Sequence, residues 1–284
     1  REMDKWSCGF RSAQLILTAV LPLLPPHHEF YSVSSWQYYP PTPQQHRPVP
    51  IPCLHQLQVF LENSWKVGFD PRGAQHYSHS IVGKSAEIGA VEVSTILSYL
   101  HLDSCVVQFI KIPKSRNMLG PYVWQYFSQG PCFQCGNDVQ TSCTDWALAL
   151  LNAVSSQHAN QDNDHDVDTS CSCPLVPLYL QWQGHSVCIV GIEKNLDEFD
   201  FLLFDPIKPG DVLRRSLEST KATDVLKPMR MSAKSLVKKD VQILMCSPRE
   251  LSMEERNVIC NQGGGNVVTA AATAVIQYRQ KQQR

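Results

Sequence analysis

An α+β fold is expected for this chain on three observations. Apolar residues recur at helical spacing through much of the first hundred positions, whereas short β-rich segments separated by brief turns take over from Pro177. The two patterns run one after the other instead of alternating, as a parallel α/β sheet would require. The composition, 284 residues of which 43% are hydrophobic, suffices for one substantial core. A single domain over residues 1–262 is therefore expected, with insertions at about 22–50 and 131–173 and a mobile tail at 263–284.

Element by element, Arg11 to Leu21 predicts a helix, with Ala13, Ile16, Leu17 and Val20 on one face and Cys8-Gly9 at its N-terminal edge. The segment Pro22 to Pro52 carries too many prolines for any regular element. His55 to Val67 predicts a second helix burying Leu57, Phe60, Leu61 and Trp65, closed by the turn Gly68 to Gly73, and Ala90 to Leu100 a third. Cys105 to Ile112 reads as a buried strand, Pro121 to Ser128 as a short helix, and Trp146 to Val154 as a helix inside the second insertion. Pro177–Gln183, Ser186–Glu193, Phe199–Phe204 and Val241–Cys246 then predict a central, mainly antiparallel sheet on which the N-terminal helices pack.

Charge and cysteine usage exclude several functional classes. The 25 basic and 26 acidic residues nearly cancel, so no basic field argues for nucleic acid. The longest apolar stretch, Ala13 to Leu24, is interrupted by Pro22 and falls short of the roughly 20 residues of a membrane span. It ends in Pro25-Pro26 instead of a small-residue cleavage site, which makes it a core helix and not a signal peptide. Eleven cysteines in a large chain argue against a disulfide scaffold and for reduced thiols in the nucleus or cytoplasm. No metal or other cofactor is expected. Cys132-x-x-Cys135 with Cys143, Cys171 and Cys173 has irregular spacing for a zinc site. The run Asp162 to Asp168 lacks the glycine and glutamate of a calcium loop, and Gly263 to Gly265 lacks the Lys-Ser/Thr of a phosphate loop. A monomer is expected, and because the chain opens on Arg1, further modules are expected upstream.

A thiol attacks a carbonyl as thiolate, and the positive end of a helix is one device that favours it; Cys8 sits at such an edge. The nucleophile also needs an imidazole base oriented by a carboxylate or amide, usually distant in sequence. His185 follows Gly184 at the start of one strand and Asp205 ends the next, so adjacent strand ends would bring the two together. With the backbone extended through Gly184, Gln181 and Gln183 would project on the same face as His185, and either amide is an oxyanion donor. Locally, each feature also has a purely structural explanation.

The segment Asp4-Lys5-Trp6-Ser7-Cys8-Gly9-Phe10-Arg11 resembles the nucleophile motif of the peptidases that process the ubiquitin-fold modifier, family C78. Gln181-Trp-Gln-Gly-His185-Ser186 and Phe204-Asp205-Pro206 are similar to that family's His and Asp motifs. Ile51-Pro52-Cys53, Trp65 to Gly73, Ile88 to Glu92 and Leu251 to Glu255 extend the resemblance over most of the chain, towards the zinc-finger-containing branch. The resemblance implies a papain-like cysteine peptidase fold. The modifier-specific members draw their catalytic His from Asp-Pro-His, whereas this chain has Asp205-Pro206-Ile207, which leaves His185 as base, as in the zinc-finger branch. That branch consists of deubiquitinases favouring lysine-63-type chains. The resemblance thus implies a thiol-dependent ubiquitinyl hydrolase with Cys8 as nucleophile, Asp205 orienting His185, and Gln181 preferred over Gln183 at the oxyanion. The chain departs from the family's preferences at Ser7, Phe10, Ser12, Glu87 and Val187-Cys188. A protease for the ubiquitin-fold modifier and a weakly active, modifier-binding pseudo-enzyme remain alternatives.

Ubiquitin ends in Arg-Leu-Arg-Gly-Gly, so its exit groove needs carboxylates for the arginines. Asp70 and Glu92 match acidic positions of the zinc-finger branch and are assigned to them by that resemblance; on local grounds alone Asp70 caps the turn before Pro71 and Glu92 is a solvated helix residue. The expected partners are ubiquitin or polyubiquitin chains.

Overall fold

A computed structural model describes residues 5–33, 51–110, 117–129, 141–157, 175–196, 198–208, 210–218, 226–236, 239–263, 266–270 and 276–277. Its helices are α1 (Cys8–Val20), α2 (Phe30–Val33), α3 (Leu54–Lys66), α4 (Pro71–His76), α5 (Ala90–Tyr99), α6 (Leu119–Gln129), α7 (Cys143–Gln157), α8 (Gly210–Leu217) and α9 (Met253–Gln262). Its strands are β1 (Leu102–Phe109), β2 (Leu178–Trp182), β3 (His185–Asn195), β4 (Glu198–Phe204), β5 (Arg230–Ser232), β6 (Val241–Glu250), β7 (Val267–Ala270) and β8 (Ile276–Gln277). They form one sheet in the order β5-β4-β3-β2-β6-β1-β7-β8. Every neighbouring pair is antiparallel except β1 with β7. The α+β fold with a mainly antiparallel sheet is as the sequence predicts.

Helix α1 forms because Phe10, Ala13, Ile16, Leu17 and Val20 recur at helical spacing and are all buried on one face. They join Leu57 and Leu61 of α3, and Val93, Ile96 and Leu97 of α5, against Tyr179, Cys188 and Leu244 on one side of the sheet. Alternate residues of the same strands, Leu178, Leu180, Val187 and Ile189, enter a second core on the other side. There they meet Tyr122, Val123 and Tyr126 of α6 and Ala147, Leu150 and Leu151 of α7. The central strands are apolar on both faces because helices cover both.

Two expectations about the chain's organisation need correction. The described part of the second insertion, α7, is a core helix: the apolar face made by Cys143, Ala147, Leu150, Leu151 and Val154 is buried. The rest of that segment, including Asp162 to Asp168, and residues 34–50 of the first insertion lie outside the described residues. The tail is not uniformly mobile either, since Val267–Ala270 pairs with β1 in register Val106↔Val267 to Phe109↔Ala270. Gly263 caps α9 at φ +68, the left-handed conformation in which glycine ends helices, and a short strand follows it. Glycine and glutamine content hid four residues, Val-Val-Thr-Ala, with the β-branched character of a strand.

The turn after α3 also does more than end it. Gly68 takes φ +100, and the chain re-enters a helix at once, with Asp70 as N-cap and Pro71 in the first turn of α4.

Val268 is 1% exposed, so Val268→Asp buries an unpaired carboxylate and should lower the unfolding free energy by about 3 kcal/mol. Urea denaturation checks this; a structureless tail would leave the midpoint unchanged.

Candidate active site

Three elements converge where β2 ends and β3 begins. The sequence Gln183-Gly184 joins them as a two-residue hairpin turn, with Gly184 at φ +77, so Trp182 pairs directly with His185. This corrects the expectation of an extended chain through Gly184. Gln181 shares its face with Ser186, not with His185. Gln183 sits in the turn, off the ladder.

Strand β4 runs antiparallel to β3 and ends at Phe204 opposite Cys188, which delivers Asp205 to His185. Asp205 Oδ1 lies 3.0 Å from His185 Nε2 and also accepts from the Ile207 N–H at 3.1 Å. The other imidazole nitrogen, Nδ1, is buried and makes no well-formed hydrogen bond, and Cys8 is the neighbouring group that acts on the charge of the ring. Trp182 meets the imidazole edge-on, with centroids 5.1 Å apart, and Lys239 Nζ lies 5.3 Å from the Trp182 ring centre.

Cys8 is the first residue of α1, entered from a 3₁₀ turn at Lys5–Ser7, so it stands at the positive end of the helix dipole. Close packing fixes that helix end. A Cβ on Gly9 would lie 2.5 Å from the Ile88 carbonyl oxygen, and one on Gly89 would lie 2.8 Å from Gln181 Oε1. Only glycines let α1, the start of α5 and Gln181 approach this closely. Gln181 Oε1 accepts from the Ala90 N–H at 2.5 Å, which leaves the Nε2 group as the donor end of the amide.

Electrostatics follow from these contacts. Burial alone raises the Cys8 thiol, but hydrogen bonds from His185 and the Ser186 N–H, with the His185 charge, turn the net shift downward. Burial likewise depresses His185, and the hydrogen bonds and charges of Asp205 and Cys8 overcome it and raise the imidazole to about 9. Burial opposes ionisation of Asp205 too; the bonds from His185 and Ile207, with the nearby positive charges, hold its carboxyl below the ordinary value. Both shifts run in the direction that favours a thiolate–imidazolium pair. His185 alone would add stability present below pH 6.5 and lost as pH rises through about 9. Cys8 alone would add stability present above pH 9.0 and lost as pH falls. Moving one proton from sulfur to nitrogen leaves the net charge unchanged, so the pair is read out in thiol reactivity.

Asp70 and Glu92 each close a helix end. Asp70 Oδ1 accepts from the Gly73 N–H at 3.0 Å, and Glu92 Oε2 from the Gly89 N–H at 2.8 Å. Asp70 is 4% exposed, and its Oδ2 has no hydrogen-bond partner. Burial, then the charge of Glu92, outweighs the Gly73 bond and raises Asp70 to about 6. The two carboxylates therefore share one electrostatic neighbourhood; Asp70 has the capping role its local sequence suggests, and Glu92, which local sequence makes a solvated helix residue, caps a helix as well. Tyr77 belongs to it: the ring stacks on Trp65 at 5.6 Å and the hydroxyl donates to the Glu87 carbonyl at 2.6 Å. That bond uses backbone, which any residue at position 87 provides.

Residues 2–244 match the sequence profile of Peptidase family C78. The chain belongs to peptidase family C78. The C78 fold is papain-like, in keeping with the α1-on-sheet arrangement above. The chain is 28% identical over 266 residues to zinc finger-containing ubiquitin peptidase 1 of Bos taurus, covering 93% of this chain and 38% of that protein. The Homo sapiens protein of that name is 29% identical over 252 residues, covering 88% and 36%. Ubiquitin carboxyl-terminal hydrolase mug105 of Schizosaccharomyces pombe is 23% identical over 212 residues, covering 74% and 63%. The chain thus spans less than two thirds of the length of these relatives.

Within this C78 chain, three site contributors were not assigned from sequence: the Ser186 N–H on Cys8, Tyr179, whose hydroxyl donates to Ser186 Oγ at 2.8 Å, and Trp182 beside His185. The hairpin Trp182-Gln-Gly-His185 was the available signal, since a two-residue turn at Gly184 dictates which residues face each other.

Alkylation of Cys8 by iodoacetamide should show a pH midpoint below that of an ordinary thiol, and Asp205→Asn should move it upward as the imidazolium loses its partner. Peptide mapping of the alkylated cysteine over pH 5–10 checks this; an unshifted midpoint in Asp205→Asn would remove Asp205 from the pair.

Proposed function

We propose that this chain is a deubiquitinating cysteine peptidase that hydrolyses the isopeptide bond after the C-terminal glycine of ubiquitin. The supporting observation is the pairing of a lowered Cys8 thiol with His185, itself bonded by Asp205, in a C78 chain whose relatives are named ubiquitin peptidases. The absence of His after Asp205-Pro206 supports the ubiquitin reading over a ubiquitin-fold-modifier protease.

In this mechanism the Cys8 thiolate attacks the glycine carbonyl. His185 gives its Nδ1 proton to the leaving lysine amine and then takes one from the water that resolves the thioester. Asp205 keeps the imidazole oriented and stabilises its charged form. Gln181 Nε2 and the N–H at the head of α1 donate to the oxyanion, the amide being fixed in advance by its bond to Ala90. Asp70 and Glu92 receive the arginines of the ubiquitin tail, a guanidinium supplying the partner that Asp70 Oδ2 lacks. The substrates are polyubiquitin chains of lysine-63 type, met in the nucleus and cytoplasm by a monomeric enzyme.

Hydrolysis of a fluorogenic ubiquitin C-terminal amide should be abolished in Cys8→Ala, and cleavage of lysine-63-linked chains should outpace lysine-48-linked ones. Release by Cys8→Ala at the wild-type rate would contradict the assignment. Gln181→Ala should lower kcat by roughly 100 to 1000-fold with little change in KM. Asp70→Asn and Glu92→Gln retain oxygen acceptors for their caps and should raise KM several-fold with the thermal midpoint held. An unchanged KM in both would leave only their capping roles.

A further inference from the structure

A cavity of about 410 Å³ lies at the opposite end of the sheet from Cys8, a volume suited to a side chain or small ligand. The register places it there: β1 meets β6 as Phe109↔Val241 at the Cys8 end and as Leu102↔Glu250 at the far end, beside Asp103 and Arg249. Four carboxylates line it, Asp103, Asp145, Glu254 and Glu255, with Arg249 as the one basic residue of the lining.

Arg249 is already committed. Its Nε donates to Asp103 Oδ2 at 3.0 Å, and its terminal nitrogens donate to Glu255 at 2.8 and 3.2 Å. An incoming anion would meet two further carboxylates, Asp145 and Glu254, and an engaged guanidinium. Asp103 is fully buried; Oδ2 also accepts from the Cys143 N–H at 2.7 Å, but Oδ1 has no partner. A buried carboxylate oxygen without a donor is a costly feature that a ligand donor would relieve. Among the described residues no set of three or more His, Cys, Asp or Glu is arranged to hold a metal ion. Leu251, Val258 and Val267 also line the cavity and match the aliphatic stem of a long basic side chain, whose head would meet the carboxylates.

We propose that this cavity is a docking pocket for an arginine or lysine side chain presented by a protein partner. It is separate from the Cys8 site, and occupation does not depend on Cys8 chemistry. It gives the domain a contact on the face away from the scissile bond.

Amide shifts of the ¹⁵N-labelled chain, titrated with acetyl-Gly-Arg-Gly-amide and acetyl-Gly-Lys-Gly-amide, test the proposal. Saturable shifts are expected at residues 144–145, 254–259 and 266–268, with a midpoint of about 1 mM or tighter for at least one peptide. Asp145→Asn with Glu254→Gln should weaken binding about tenfold, and Val258→Arg, which places a cation at the rim, should abolish it. Both variants should alkylate Cys8 at the wild-type rate. The proposal is overturned if acetyl-Gly-Glu-Gly-amide binds equally, if the variants bind like wild type, or if no saturable shift appears by about 10 mM. Tighter binding of spermidine than of either peptide would overturn the protein side chain as occupant.

Discussion

The 3.0 Å contact between His185 Nε2 and Asp205 Oδ1 is the interaction on which the site depends. It engages Nε2 and leaves Nδ1 as the ring nitrogen open to a second partner, so a single bond fixes how the imidazole is presented. Everything around it serves that bond. The hairpin at Gly184 starts β3 at His185, the antiparallel β3–β4 pairing brings Asp205 alongside, and Trp182 packs against the ring. A one-residue slip in either register would turn His185 away from Cys8. The double-sided core that holds those registers therefore also positions the candidate site.

Cys8 is positioned by a different device, close backbone approach. Glycines at 9 and 89 remove the Cβ atoms that would separate α1, the start of α5 and Gln181. The same compression fixes the Gln181 amide against Ala90. Cys8, His185 and Gln181 thus come from one helix and one hairpin, with little freedom to rearrange. Preorganisation of this kind lowers the cost of meeting a transition state.

Much of this was legible in the sequence. The three N-terminal helices announced themselves because Phe60, Leu61 and Trp65, or Ile16, Leu17 and Val20, recur at helical spacing, and the strands because their β-branched runs are short and bounded by turns. His185 and Asp205 could be paired because adjacent antiparallel strands must bring their ends together. What escaped was tertiary. The face of Gln181 turned on whether Gly184 extends or reverses, and a glycine permits both. The strand Val267–Ala270 is four residues long, too short for periodicity to register beside a glycine-rich linker, and exists because β1 offers an open edge. Helix α7 was read correctly as a helix but assigned to an insertion, since only the sheet shows that its apolar face belongs to the second core. The burial of Asp70 and the bond from the Ser186 N–H are contacts that no single segment encodes.

The proposed activity requires Cys8, activated by His185, to attack the carboxyl end of ubiquitin. Mass-spectrometric mapping of the adduct formed with ubiquitin carrying a C-terminal propargyl electrophile tests it most directly. A single adduct on Cys8 that is lost in His185→Ala, with the fold of the variant intact by circular dichroism, is the predicted result. An adduct on another cysteine, or equal labelling of Cys8 without His185, would contradict it.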